Sequence, residues 1–200
     1  MNLDPGLILG LVGQSCLVVV VVYLLSRTKL FDSVLNRKLS ATAQAILAVI
    51  FGILAIYGTY AGITTSGGAI ANIRNVGPIV AGLLGGPWVG LGAGLIGGVH
   101  RFFMGGFTAV ACAVGTTVCG LGAGILYWAL KGKIGIWKST LFAFLIECVD
   151  IGLVLLIARP FSDALDKVKL NAVPMIIAVT VGVAIFAYML SNFIKDRKVE

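Results

Sequence analysis

Six apolar runs, each close to the length that crosses a bilayer, leave this sequence little choice of fold: residues 7–25, 41–63, 76–99, 107–130, 139–158 and 170–194. About 20 apolar residues span the hydrocarbon core as a helix, and only helices and closed barrels satisfy every backbone group there. Five of the runs contain no charged residue, while the run 139–158 carries Glu147 and Asp150. Apolar residues make up 59% of the chain and its mean hydropathy is +1.06. A soluble fold of 200 residues cannot bury that much, so the excess faces lipid. The fold expected is an all-α polytopic integral membrane protein of five to six transmembrane helices.

The charge distribution addresses topology rather than partners. A net charge of +7 would suggest nucleic acid in a soluble protein. Here the basic residues cluster in connections: Arg27, Lys29, Arg37 and Lys38 in one, Lys131, Lys133 and Lys138 in another, and Lys195, Arg197 and Lys198 after the last run. The positive-inside rule puts all three on the cytoplasmic side, and no nucleic-acid partner is expected. Six full crossings cannot place all three together. The third run offers the remedy: Gly85-Gly86-Pro87 at its centre can break a helix and divide it into two pieces of about 10 residues, each reaching about half a bilayer. A Gly-rich third segment that re-enters and returns leaves five crossings and a cytoplasmic C-terminus. The competing topology is six plain crossings with a weak charge bias.

Glycine is concentrated where this turn would sit, with 18 of the 27 glycines between Gly62 and Gly124. Gly82, Gly86, Gly90, Gly94 and Gly98 recur every fourth residue, as do Cys112, Thr116, Gly120 and Gly124. Read as helix faces, two such stripes of small residues are expected to pack against each other.

The polar residues inside or beside the runs are the candidates for chemistry. Arg74 and Arg101 bracket the third run, and a guanidinium is a planar fork of donors suited to a carboxylate, costly in an apolar setting without a partner. A re-entrant segment would bring the two arginines to one side, whereas a continuous helix would hold them about 35 Å or more apart. The alternative is that each anchors the segment at the headgroups. Cys112 and Thr116 would lie near the arginines in the re-entrant topology. His100 stands beside Arg101, where a lone histidine is more often a packing residue than a ligand. Glu147 and Asp150, three residues apart, lie close to one helix face. Their options are an ion pair with an arginine, a protonated carboxyl hydrogen-bonding to a neighbouring span, or proton-coupled transport; with no basic residue in the other runs at that depth, the protonated, hydrogen-bonding role is favoured for Glu147.

Cys16, Cys112, Cys119 and Cys148 show no Cys-x-x-Cys spacing, and neither metal-ligand clusters nor catalytic motifs appear. No metal, no cofactor and no catalysis by this chain are expected. Asp4 near the start and the absence of a small-residue cleavage site before Arg27 argue that the first run is retained.

Asn72-Ile73-Arg74, the stretch from Gly77 through Pro87, Gly90 to Arg101, Gly105-Gly106 and Pro174-Met175-Ile176 together resemble the five-transmembrane receptor domain of LytS-type sensor histidine kinases. The resemblance covers nearly the whole chain. It implies a bacterial inner-membrane sensor that detects an extracellular small molecule, acts as a homodimer through its kinase, and signals to a cytoplasmic response regulator. Members that sense small carboxylates such as pyruvate imply an anion at Arg74 and Arg101, with Cys112 and Thr116 lining the pocket, His100 nearby and Asn72 orienting Arg74. Residues 1–194 then form the membrane sensor, and 195–200 begin a cytoplasmic linker to signalling domains. Gly86 and Pro87 would shape the re-entrant turn. Pro174, expected a few residues inside the outer end of the last span, would loosen a helix that carries the signal. Val179 departs from the family pattern, in which Asn often follows the Pro-Met-Ile motif. A distant likeness to the substrate-binding membrane components of vitamin transporters supplies the alternative function.

Overall fold

The computed structural model describes residues 5–64, 70–133 and 135–196. Its helices are α1 (Pro5–Ser26), α2 (Lys29–Leu35), α3 (Ala41–Tyr60), α4 (Val76–Gly85), α5 (Pro87–Phe103), α6 (Ala109–Ala129), α7 (Ile136–Ile157) and α8 (Phe161–Asp196). A two-residue antiparallel ladder between β1 (Ile63–Thr64) and β2 (Ile70–Ala71) lies between α3 and α4, pairing Ile63 with Ala71. Five of these helices, α1, α3, α6, α7 and α8, are long and apolar enough to cross a membrane.

Local chemistry sets several boundaries. Ser40 caps α3, its Oγ accepting from the Ala43 N–H at 3.1 Å, which satisfies one of the orphan donors of the first turn. The third apolar run divides at Gly86, whose φ of 82° is open to glycine and strained for a side chain. Pro87 then takes the first position of α5, where its missing N–H costs nothing. The two pieces are unequal, 10 and 17 residues, because the second half continues through His100 and Arg101 to Phe103. Gly105 and Gly106, at φ of 74° and 88°, turn the chain into α6.

α4 forms the centre of the molecule. All of its residues from Val76 to Leu84 are buried, and it packs on α3, α5, α6 and α8. That wrapping is what a short helix needs at membrane depth, since its free ends cannot face lipid. The outward faces are apolar instead: Leu9, Phe103 and Trp137 are 74%, 80% and 87% exposed, as lipid-facing positions should be.

Because of the break at Gly86, the five-residue glycine ladder does not lie along one helix face as its spacing suggests. Gly82 belongs to α4, while Gly90, Gly94 and Gly98 belong to α5. Both pieces nonetheless pack on α6. A methyl group at Gly82 or Gly90 would run into the Gly120 carbonyl, one at Gly94 would meet Thr117, and one at Gly124 would strike the Pro87 backbone. The seam is thus backbone on backbone, the close approach that small residues permit in a membrane.

Two other boundaries differ from the hydropathy pattern. A short helix, α2, occupies the first basic connection. α8 starts at Phe161, nine residues before the apolar run, because Ala164 is fully buried with Ala111 and Ala158 and holds the polar first turns against the bundle. Pro174 is consequently 13 residues into α8 rather than near its end, and the expectation of a loosened outer terminus is corrected.

The glycine seam makes a prediction with an internal control. Gly120→Ala should destabilise the protein by about 1–3 kcal/mol, as overpacking does. Gly13→Ala, where an added Cβ meets nothing within 4 Å, should be neutral or stabilising by up to about 1 kcal/mol. Thermal unfolding of both variants in detergent checks the contrast.

Candidate functional site

Between the ends of α3 and α5, the segment leading into α4 and the start of α6 on one side, and α7 and α8 on the other, lies a cavity of about 290 Å³. Arg74 and Arg101 both line it. Collinear α4 and α5 would hold these residues about 40 Å apart by helical rise, so a shared cavity requires the chain to fold back at Gly86. The remaining wall includes Asn72, Thr108 and Cys112, with Asp150 and Ile151 from α7 and Lys167, Asn171 and Met175 from α8.

The two arginines are held differently. Arg74 is only 1% exposed. Its Nε donates to Thr116 Oγ1 at 2.6 Å, its own N–H donates to Asn72 Oδ1 at 3.2 Å, and its buried Nη1 has no hydrogen-bond partner among the described residues. Arg101 is partly exposed, and its fork closes the α5–α6 turn: Nη1 donates to the Gly105 carbonyl at 2.7 Å and Nη2 to Thr108 Oγ1 at 3.1 Å. Arg74 is therefore set by the core, whereas Arg101 and its loop position each other.

Beneath Arg74 a chain of hydrogen bonds crosses three helices. Thr116 Oγ1 donates to Asn75 Oδ1 at 3.0 Å, and Asn75 Nδ2 stands 3.0 Å from both Glu147 Oε2 and Asp150 Oδ2. All five side chains are at most 2% exposed. The network gives the carboxyl pair of α7 a shared amide donor and places two acids near a guanidinium in low dielectric, where such groups are stable only when partnered. Asp150 gains its position because position 115 is glycine; a Cβ there would collide with Asp150 Oδ1.

The sequence model of the family described as 5TMR of 5TMR-LYT matches residues 28–193. The chain belongs to this family. It is 37% identical over 193 residues to the sensor histidine kinase BtsS of Escherichia coli K12, covering 94% of this chain and 34% of that protein. It is 32% identical over 200 residues to the sensor protein LytS of Bacillus subtilis 168, covering 91% of this chain and 34% of the relative. The sensor histidine kinase/phosphatase LytS of Staphylococcus aureus RF122 is 30% identical over 202 residues. The chain spans about a third of the length of these relatives. No solved structure matches it.

Within this 5TMR fold, the cavity gathers Arg74, Arg101, Asn72 and Cys112, with Thr116 directly behind Arg74. It does not gather His100. That ring is on another face of α5, its Nε2 3.3 Å from the Tyr60 hydroxyl and its centroid 5.2 Å from the Tyr60 ring; one residue along a helix turns about 100°, which separates it from Arg101. The expected place for His100 at the ligand pocket is corrected on this geometry. Pro87 and Gly86 sit at the far end of α4 and α5, where Gly86 faces Tyr127 and Trp128.

Three participants escaped the sequence reading. Asn75 was legible only as the neighbour of Arg74, yet it joins α4 to α7. Lys167 and Asn171 lie in and just after the connection between the fifth and sixth runs, which carries Arg159, Asp163, Asp166, Lys167 and Lys169. The available signal was that three cations there, Arg159, Lys167 and Lys169, run against the positive-inside pattern.

Replacing Asn75 tests the network. Asn75→Ala leaves two buried carboxyls and the Thr116 hydroxyl without their partner, and should destabilise the fold by roughly 3 kcal/mol or more. Gly115→Ala should also destabilise it through Asp150. Denaturant titrations in micelles would show both losses.

Proposed function

We propose that this chain is the ligand-sensing membrane part of a two-component sensor histidine kinase, taking a small extracellular carboxylate such as pyruvate between Arg74 and Arg101. The observation that carries the reading is the buried Arg74, its Nη1 without a partner among the described residues, in the wall of a cavity that Arg101 shares. A desolvated guanidinium is stable there when an anion completes its donors. The volume suits a ligand of a few heavy atoms, since drug-sized ligands occupy pockets of roughly 300–1,000 Å³. Cys112 supplies a soft wall, and Thr116 and Asn72 fix the orientation of Arg74.

The output path is α8. One helix of 36 residues contributes Lys167, Asn171 and Met175 to the cavity and reaches the opposite end of the molecule. There Leu190 and Ile194 share a second cavity, of about 480 Å³, with Arg37 and Gly132. The three basic connections thus converge at one end, which supports a cytoplasmic C-terminus by the positive-inside rule. Ligand binding biases α8 between two positions, and a homodimer passes that bias to its kinase and response regulator. The support for a kinase downstream is the identity of the relatives matched.

Two measurements test this. Arg74→Ala and Arg101→Ala should each weaken pyruvate binding about ten- to a hundredfold in calorimetric titrations, the loss expected for one charge-assisted partner. Unchanged affinity in both would make these arginines structural anchors. Spin labels at position 195 of the full-length dimer should change their separation when pyruvate is added. An unmoved distance distribution at saturation would remove α8 as the transmitter.

A further inference from the structure

Among the described residues Lys167 is the one lysine in the cavity wall, and it is not held as its neighbours are. Lys169, two residues on, pairs with Asp166 at 3.5 Å on the exposed side of α8. Lys167 faces the bundle on the same side of α8 as Asn171 and Met175, one and two turns below it, and its Nζ lies 4.6 Å from the centroid of the Phe107 ring. Phe107 belongs to the Gly105–Thr108 turn that Arg101 fastens. Ala164, buried against Ala111 and Ala158, keeps this part of α8 close to the start of α6. The cation therefore has a short reach to choose between an aromatic face and the cavity.

We propose that Lys167 is a ligand-binding residue on the output helix: the arginines take the carboxylate, and Lys167 leaves Phe107 to hold a second oxygen of the ligand, the carbonyl or hydroxyl oxygen at its neighbouring carbon. This rests on the carboxylate reading above and extends it to specificity and transmission. Three observations support it. The forked donors come from the segment just before α4 and from α5, and the point donor from α8, a division that suits a planar carboxylate at one end and a single oxygen at the other. A lysine over an exposed aromatic ring is held more weakly than one in a charge-assisted hydrogen bond, so an oxygen in the cavity wins the competition. The flexible four-carbon stem permits the move without shifting the helix first. Once made, the contact ties the ends of α4 and α5 to α8 through the ligand itself, giving α8 a direct difference between bound and unbound states.

Because ring and ligand compete for one ammonium, two substitutions should act in opposite directions. With pyruvate as the probe in calorimetric titrations of the purified chain, Lys167→Gln should weaken binding about tenfold. Phe107→Leu should tighten it about two- to fivefold by removing the competing ring, and that gain should vanish in the Lys167→Gln background. Lys167→Arg, which keeps the charge, should stay nearer the wild type than Lys167→Gln does. Propionate, which has the carboxylate but no second oxygen, should bind the wild-type chain more weakly and should be indifferent to Lys167→Gln.

Pyruvate affinity within twofold of wild type in Lys167→Gln, alongside a loss in Arg74→Ala, would overturn the role of Lys167 and leave the arginine site standing. A gain from Phe107→Leu that persists without Lys167 would overturn the competition, and an equal loss for propionate would overturn the second-oxygen assignment. Failure of the wild-type chain to bind pyruvate, lactate or propionate would overturn the carboxylate reading and this proposal with it.

Discussion

A guanidinium taken out of water is the constraint around which this membrane domain is organised. Arg74, 1% exposed, cannot reach the headgroups, so its donors must be met inside. Thr116 meets one, and Asn75 then links the same hydroxyl to Glu147 and Asp150. Each link comes from a different helix: the start of α4, the middle of α6 and the middle of α7. Charged groups in low dielectric are stable only as a set, and removing one member strands the rest. The network therefore specifies how three helices register, a service that apolar packing alone performs poorly where lipid is as apolar as the core.

The glycine seam is the steric counterpart of that polar network. For Thr116 to reach Arg74, α6 must approach the short α4 more closely than side chains allow. Gly82, Gly120 and Gly124 supply the space, and Gly90 and Gly94 extend it along α5. The same economy explains Gly115, whose missing side chain admits the Asp150 carboxyl. Small residues and buried charges thus depend on each other: without close helices the network does not form, and without the network the close helices have no fixed register.

Much of this was legible in the sequence, and what was not has physical causes. Hydropathy located the five spanning helices to within a few residues at most ends, because burying backbone in lipid leaves no other secondary structure. Gly85-Gly86-Pro87 marked the break in the third run, since a positive φ and a proline have few other uses there. Spacing failed at the ladder of five glycines, which the break divides between two helices, and at α8, where Ala164 extends the helix through a charged stretch that hydropathy reads as loop. Residue type proposed Arg74 and Arg101, and the re-entrant topology with the family resemblance added Cys112 and Thr116. It could not separate Arg101 from His100 by face, nor bring Asn75 to Glu147 across 72 residues, nor Lys167 to a cavity assembled from five helices. Those are consequences of tertiary packing.

The seam also bears on which of the two functions first considered fits the architecture. A transport cycle opens a central site to each side in turn, usually by rocking one group of helices against another. In this fold the cavity lies between the α5–α6 end and α7–α8, while below it α4 and α5 are joined to α6 by contacts of backbone on backbone. Opening a path from the cavity to the far end would have to part Gly82, Gly90 and Pro87 from Gly120 and Gly124, and would expose backbone groups of a short helix that survives at membrane depth only because it is wrapped. α8 packs on α7 and α1 and only lightly on α4, so a displacement of α8 would leave that backbone seam closed. A site closed at one end by backbone contacts therefore favours the sensing function proposed above over a transport cycle that must open both ends.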